Sequence, residues 1–180
     1  MVLNTERLVL RPWEEADAEE CFKYAVDSEI GSPCGWPAHT SVEDSRNVIK
    51  NVLNGPECYA ICLKENGKPI GSIELMLHEK SIKTQGDNEC ELGYWLGKPY
   101  WGKGIIPEAA KELLRRAFED LGKEKVWCGY YEGNEKSKRV QEKLGFTYYG
   151  RDDNVHLSLL NEDRNMIINL MTKEDWKRYL

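Results

Sequence analysis

No stretch of the sequence approaches the roughly 20 consecutive apolar residues of a membrane-spanning helix, and its first residues, MVLNTERLVLR, lack the basic-then-apolar order of a signal peptide. A cytoplasmic protein with no membrane partner is expected. Cysteine pairs at metal-ligand spacing are missing too: the six thiols at 21, 34, 58, 62, 90 and 128 are scattered, with no CxxC. The expectation is reduced thiols and no metal, with Cys58 and Cys62 sharing one face of a strand and packing there. Basic residues are the minority, 25 Lys and Arg against 31 Asp and Glu. That balance argues against nucleic acid as the main ligand, because phosphate contacts need a basic surface. GxxxxGK[ST] and GxGxxG are absent, which disfavours a nucleoside-triphosphate P-loop and a dinucleotide site.

Apolar residues make up 41% of the chain, enough for one core, and residues 1–180 read as a single domain. The periodicities are mixed α and β. Residues 7–11 alternate as a strand ended by Pro12, and 14–27 place Ala18, Cys21, Phe22, Ala25 and Val26 at helical spacing. The Gly and Pro residues of 31–37 break that helix. A second helix starts at Ser41, with Asp44 in a shortened capping box and Val42, Val48, Ile49, Val52 and Leu53 as its buried side. Strands at 58–64 and 69–77, joined through Asn66-Gly67, predict an antiparallel hairpin, and a further strand covers 90–96. Ile106, Ala110, Leu113, Leu114, Ala117, Phe118 and Leu121 then mark one helical face, with Gly122 as the stop. A strand at 124–131, a helix at 134–144 and a strand at 145–149 follow. This strand–helix–strand order predicts parallel pairing. Residues 165–171 make the last strand, and 173–176 begin a terminal turn or helix.

Trp101-Gly102-Lys103-Gly104-Ile105 falls between a strand and a helix, where backbone N–H groups are unpaired and the helix dipole is positive. Gly102 and Gly104 let the main chain approach an anion, and Pro107 lacks an N–H that would be orphaned anyway. Alone, the segment reads equally as a tight connecting turn. Three carboxylates are candidate bases: Glu89 and Glu91, which share a strand face, and Glu74, set in the apolar run 72–77. A solvent-facing strand position is the plain alternative for each. Trp36, Tyr94, Trp95, Trp127, Tyr130 and Tyr131 suit either a cleft or a core. His39, His78 and His156 are isolated and receive no role.

Glu91-Leu92-Gly93-Tyr94-Trp95-Leu96, followed by Pro99-Tyr100-Trp101-Gly102-Lys103-Gly104 and Glu108-Ala109, resembles the acyl-CoA-binding motif of the GNAT superfamily of N-acetyltransferases. Asn134-Glu135-Lys136-Ser137 with Glu142-Lys143-Leu144-Gly145-Phe146 is similar to the family's next block. Thr5-Glu6-Arg7-Leu8-Val9-Leu10-Arg11 resembles its RimJ/RimL branch, which acetylates ribosomal-protein N-termini. The match extends over nearly all 180 residues.

The resemblance implies an α/β (α+β) GNAT fold: a mixed, mostly antiparallel central sheet of about seven strands, a splayed parallel pair at the CoA site, and helices on both faces. It implies acetyl-CoA as cosubstrate and no metal. Pantetheine would lie along the backbone of Tyr94, Trp95 and Leu96, and the pyrophosphate on Trp101, Gly102, Lys103, Gly104 and Ile105. Asn134 is a CoA amide contact or a helix N-cap. Transfer then needs a base for the amine, Glu91, Glu89 or Glu74, and a donor for the thiolate. Gln141 stands where many relatives carry a tyrosine acid, so Ser137, placed near the thiol, is the substitute.

Two positions depart from the motif. Trp101 replaces the common Gln or Arg, and Ile106 the final small residue, where a branched side chain would crowd or shift the pyrophosphate. The partners implied are acetyl-CoA and a primary amine, either a peptide N-terminus or a small molecule such as an antibiotic, polyamine or amino acid. Residues 31–39 and 81–88 would line that acceptor cleft. A reading of another class, motivated by Ile106 and Gln141, is a catalytically silent CoA-binding sensor. Relatives are often homodimers, and the sequence itself does not fix an oligomeric state.

Overall fold

Alternation of apolar residues along short segments builds one sheet, and the computed structural model describes it through residues 1–77 and 83–179. Strands β1 (Leu3–Asn4), β2 (Leu8–Arg11), β3 (Cys58–Leu63), β4 (Pro69–Leu77) and β5 (Glu89–Leu96) follow one another antiparallel. Strand β6 (Lys125–Tyr131) joins β5 in parallel, and β8 (Glu162–Thr172) inserts between β6 and the edge strand β7 (Thr147–Leu157). The order is β1-β2-β3-β4-β5-β6-β8-β7, eight strands where about seven were expected. The added strand is the two-residue β1.

Strand β3 shows how the faces divide. Cys58, Ala60 and Cys62 pack against α1 (Ala18–Ala25) and α3 (Val42–Asn51) through Ala18, Cys21, Ala25 and Ile49. Tyr59 and Ile61 turn to the other face, with α4 (Ile105–Arg115) and α6 (Lys173–Tyr179). Cys58 and Cys62 are buried thiols on one face, as their spacing requires. Helix α4 buries Ile105, Ile106, Ala109, Ala110, Leu113 and Leu114. Each fully buried Leu or Ile contributes about 1.5–3 kcal/mol, so the loop before α4 sits on a firmly anchored helix.

The hairpin turn is confirmed by Gly67 at φ 68°. The helix expected over 14–27 resolves into a 3-10 turn at Glu15–Asp17, α1, and the separate short helix α2 (Ser28–Gly31). Ser41 caps α3 by accepting from Asp44 N. Val52, the residue that ends α3, is 56% exposed, while Ser45 within the helix is buried and hydrogen-bonds the buried His39 ring at 2.7 Å.

Parallel pairing extends less far than the element order predicts. Among the described residues only β5 and β6 pair that way, since after α5 (Glu135–Lys143) the chain crosses to the sheet edge and β8 fills the position beside β6. Strand β7 also runs on to Leu157, far past residue 149; its polar Gly150–Asn154 stretch gives no apolar alternation because an edge strand exposes both faces.

Candidate active site

The chemistry-bearing residues converge where β5 and β6 part. Their parallel pairing ends at Glu91 with Trp127, although both strands continue. Gly97 N–H donates to Ile70 O, so strand alternation sends the backbone groups of Trp95 and Gly93 toward β4 and those of Tyr94 and Leu96 into the opening. Gly93 and Gly129 are the first same-facing residues past the last paired rung. Past that rung a gap separates the two strands, and at Gly93 and Gly129 neither carries a side chain on that face. The splayed parallel pair expected of the sequence is present.

On the α4 side of the gap stands the anion loop. Gly102 and Gly104 both adopt φ 74°, a left-handed conformation that favours glycine, and are exposed with Lys103 ahead of the α4 N-terminus. A Cβ at Gly102 would meet nothing within 4 Å, so open space faces the first-turn N–H groups. Trp101 Nε1 donates to Leu96 O at 2.8 Å, and Lys136 lies 4.0 Å over its ring. Trp101 thus ties loop to strand and takes one of the carbonyls in the opening. Ile106 corrects the expected crowding: it is buried among the core residues beneath α4 and points away from the loop.

Two residues that sequence reasoning gave no role hold this loop. Glu108, in the first turn of α4, accepts from Thr5 Oγ1 (2.5 Å), Arg7 N (2.8 Å) and Arg7 Nε (2.6 Å). Arg7 Nη1 in turn donates to Lys103 O at 3.0 Å. Burial pushes the Glu108 carboxyl up, but these donors outweigh it and hold the group below its usual range. Partners 101 residues apart leave no local sequence signal.

Ser137, on α5, also faces the gap. Its Oγ lies 2.8 Å from Tyr94 OH and accepts from Gln141 Nε2 at 3.1 Å. Gln141 is fully buried, donates to Gly129 O and accepts from Asn169 Nδ2 at 2.8 Å. Burial pushes the Tyr94 phenol well up. Asn134 caps α5 by accepting from Ser137 N, and its amide donates to Pro33 O at 3.3 Å, which favours the N-cap reading over a CoA contact.

The candidate bases separate. Glu89 is buried and accepts from Trp127 Nε1 (2.8 Å), Gln85 N (3.0 Å) and Lys125 Nζ (3.0 Å). Burial pushes its carboxyl up, and these bonds overcome that and hold it below its usual range. Glu89 thus ties β5 to β6 through Lys125 and Trp127. Glu74 pairs with Gly93, its Oε1 3.7 Å from where a Gly93 Cβ would stand, and half-buried Glu91 shares that face. Both carboxylates thus border the gap on the side opposite Ser137.

Residues 31–39 cross this second side. Trp36 packs edge-on to Trp95 (5.8 Å), which stacks on Trp13 (6.1 Å), and Arg164 Nη1 donates to Ser32 O at 2.6 Å. Burial lowers the His39 pKa, and His156 pairs with Asp163; His78 lies outside the described residues, as do residues 81 and 82 of the expected 81–88 wall. Among the described residues no group of three or more His, Cys, Asp or Glu is placed to hold a metal. A surface groove of about 420 Å³ runs along α4 and α6 through Lys111, Arg115 and Trp176; it contains none of the gap residues, so volume alone does not mark the site.

A sheet splayed beside a glycine-rich helix N-terminus defines an acyl-CoA-dependent N-acetyltransferase, and the comparisons agree. Residues 7–147 match the family model described as "Acetyltransferase (GNAT) domain", and the chain belongs to that family, in its RimJ/RimL-like branch. It is 34% identical to Bacillus subtilis "Putative ribosomal N-acetyltransferase YdaF" over 96% of this chain and 94% of the relative. It is 22% identical to Escherichia coli "[Ribosomal protein uS5]-alanine N-acetyltransferase", covering 94% of this chain and 78% of the relative. Among solved structures, a GNAT-family acetyltransferase from Bacillus anthracis superposes with TM-score 0.84 at 24% identity, covering 97% of this chain and 99% of that one. Among the described residues no helix is long and apolar enough to cross a membrane.

Proposed function

We propose that the chain transfers the acetyl group of acetyl-CoA to a primary amine, with a protein N-terminus as the acceptor class. The observation that carries this reading is the gap at Gly93 and Gly129, with an anion cradle and Ser137 on one side and Glu74 and Glu91 on the other. The cradle fits the donor: exposed glycines at φ 74° leave room for a pyrophosphate, and the α4 N-terminus offers its N–H groups and positive dipole. The backbone N–H groups of Tyr94 and Leu96, turned into the opening, suit the amides of pantetheine.

An acceptor amine entering from the second side meets Glu74 over Gly93 and Glu91 on the neighbouring strand. One of them takes the amine proton, directly or through a water, so that nitrogen attacks as the neutral base. Ser137 Oγ accepts from Gln141 and shares a hydrogen with Tyr94 OH, so the paired hydroxyls can supply a hydrogen to the departing sulfur. The names of the YdaF and uS5-alanine relatives support a protein N-terminus as acceptor. The inward-facing Ile106 removes one of the two motives for a silent sensor.

Calorimetry of acetyl-CoA binding to wild type and to Gly104→Glu tests the reading, followed by an amine and N-terminal-peptide screen. Binding by wild type and its loss in the folded variant are expected, because the variant sets a side chain and a negative charge at the helix N-terminus, its Cβ 3.6 Å from Arg7 Nη2, where the pyrophosphate would lie. A folded wild type that does not bind acetyl-CoA sinks the proposal.

A further inference from the structure

The gap already has a primary amine beside it. Lys83 extends from the segment between β4 and β5 across the acceptor face to β6 and β8. Its Cε lies 3.2 Å from the point a Gly129 Cβ would occupy, and its Nζ stands 2.8 Å from Met166 Sδ. Gly129 and Gly93 are the two side-chain-free positions of the gap, so Lys83 borders one lip while the Glu74 carboxylate borders the other. The residue is half-buried. Any larger side chain at position 129 would displace it.

The surroundings suit an unbranched alkyl amine. The thioether of Met166 meets the amine, the stem passes over the bare Gly129 position, and a hollow of about 180 Å³ beside it, lined by Lys83, Gln85, Trp127, Tyr149, Asp152 and Ile168, leaves room for the side chain to move. A tether of the same chain also raises the local concentration of this amine far above that of any free acceptor.

We propose that Lys83 is a self-acceptor: the enzyme acetylates its own Lys83 Nζ from acetyl-CoA. The inference rests on the acetyltransferase reading above. The neutral Nζ attacks the thioester carbonyl carbon; the C–N bond forms, the C–S bond breaks, the surplus amine proton passes to Glu74 or Glu91 and from there to solvent, and CoA leaves as the thiolate, which takes its proton from solvent by way of Ser137. The product is a neutral amide at the lip of the gap, where an acceptor has to enter.

Purified protein incubated with radiolabelled acetyl-CoA and mapped by peptide mass spectrometry reads this directly. Lys83 is expected to label at least about 100-fold faster than the exposed lysines Lys50 and Lys143, at a rate per chain independent of protein concentration, as an intramolecular step requires. The fast label should vanish in Lys83→Arg and in Gly104→Glu. Labelling of Lys83 at the pace of the exposed lysines, or undiminished in Gly104→Glu, overturns the inference. If the protein binds acetyl-CoA and acetylates an added amine while Lys83 stays unlabelled, self-acetylation fails and the enzymatic reading stands. If it binds no acetyl-CoA, both fail.

Discussion

Replacing Glu108 with Gln should loosen the anion loop without touching any residue that would meet the donor's phosphates. Its carboxylate accepts three hydrogen bonds from the N-terminal segment and is largely shielded from solvent. Hydrogen bonds to a charged group contribute about 1.5–3 kcal/mol each. The Arg7 side chain is 46% exposed, so its ion pair counts for less than about 1 kcal/mol. Gln retains one acceptor oxygen and turns an NH₂ toward Arg7, which puts the loss at about 2–3 kcal/mol. For a chain of this size that lowers Tm by about 4–12 °C. Because Arg7 also holds Lys103 O, affinity for acetyl-CoA should fall as well, by about tenfold for each 1.4 kcal/mol of the loss felt by the loop. The pH dependence has a definite sign. The folded Glu108 pKa is depressed, so its contribution is fully present above the unfolded value of about 4.3 and is lost as pH falls through the lower folded value. Calorimetry and thermal melts should therefore separate wild type from Glu108→Gln by a constant amount between about pH 6 and pH 8, with the difference closing in acid. Equal Tm and equal affinity at pH 7 would refute the clamp.

Ser137→Ala should lower kcat by about 100-fold with little change in the KM for acetyl-CoA, if its hydroxyl serves the departing sulfur; steady-state kinetics showing an unchanged kcat would remove that role. Gly31→Ala sets a Cβ 2.5 Å from the Trp36 ring and 2.6 Å from its carbonyl oxygen, so residues 31–39 have to move. KM for the acceptor should rise in that variant while acetyl-CoA binding holds, as acceptor titrations and calorimetry would show. Val52→Asp should change stability by less than about 0.5 kcal/mol in urea unfolding, because Val52 is 56% exposed, whereas a larger loss would restore it to the buried side of α3.

The sequence was most legible where one residue's neighbours decide its place. The period of α4, the Asn66-Gly67 turn and the caps at Ser41 and Gly122 all depend on contacts within a few positions, and all appear in the structure. The helical phase of Ile106 puts it among the buried residues, and a side chain on that face lies in the core and not at the phosphate loop, whatever its size. Strand β7 escaped because a polar edge strand has no period to read, and the parallel pairing was overextended because β8 comes later in sequence than the strand it separates from β6.

The site itself was only half legible, for a related reason. Motif residues mark where the donor would lie, yet the gap depends on registers that no local pattern carries. Glu91 meets Trp127, 36 positions further along the chain, and from that rung alternation alone puts Gly93 and Gly129 on one face. Neither glycine has φ in the left-handed region, so neither is needed for backbone conformation. A Cβ at Gly93 would stand 3.1 Å from Met76 Cε and beside Glu74; one at Gly129 would stand 3.2 Å from Lys83 Cε and from Met166 Sδ. Met76 and Lys83 therefore close over bare backbone at these two positions, and under the proposed function the missing Cβ atoms let a thioester and an amine approach each other from opposite faces of the sheet. Larger residues at 93 and 129 should displace Met76 and Lys83 and lower the rate of acetyl transfer, whereas unchanged kinetics in both variants would remove that role from the two glycines.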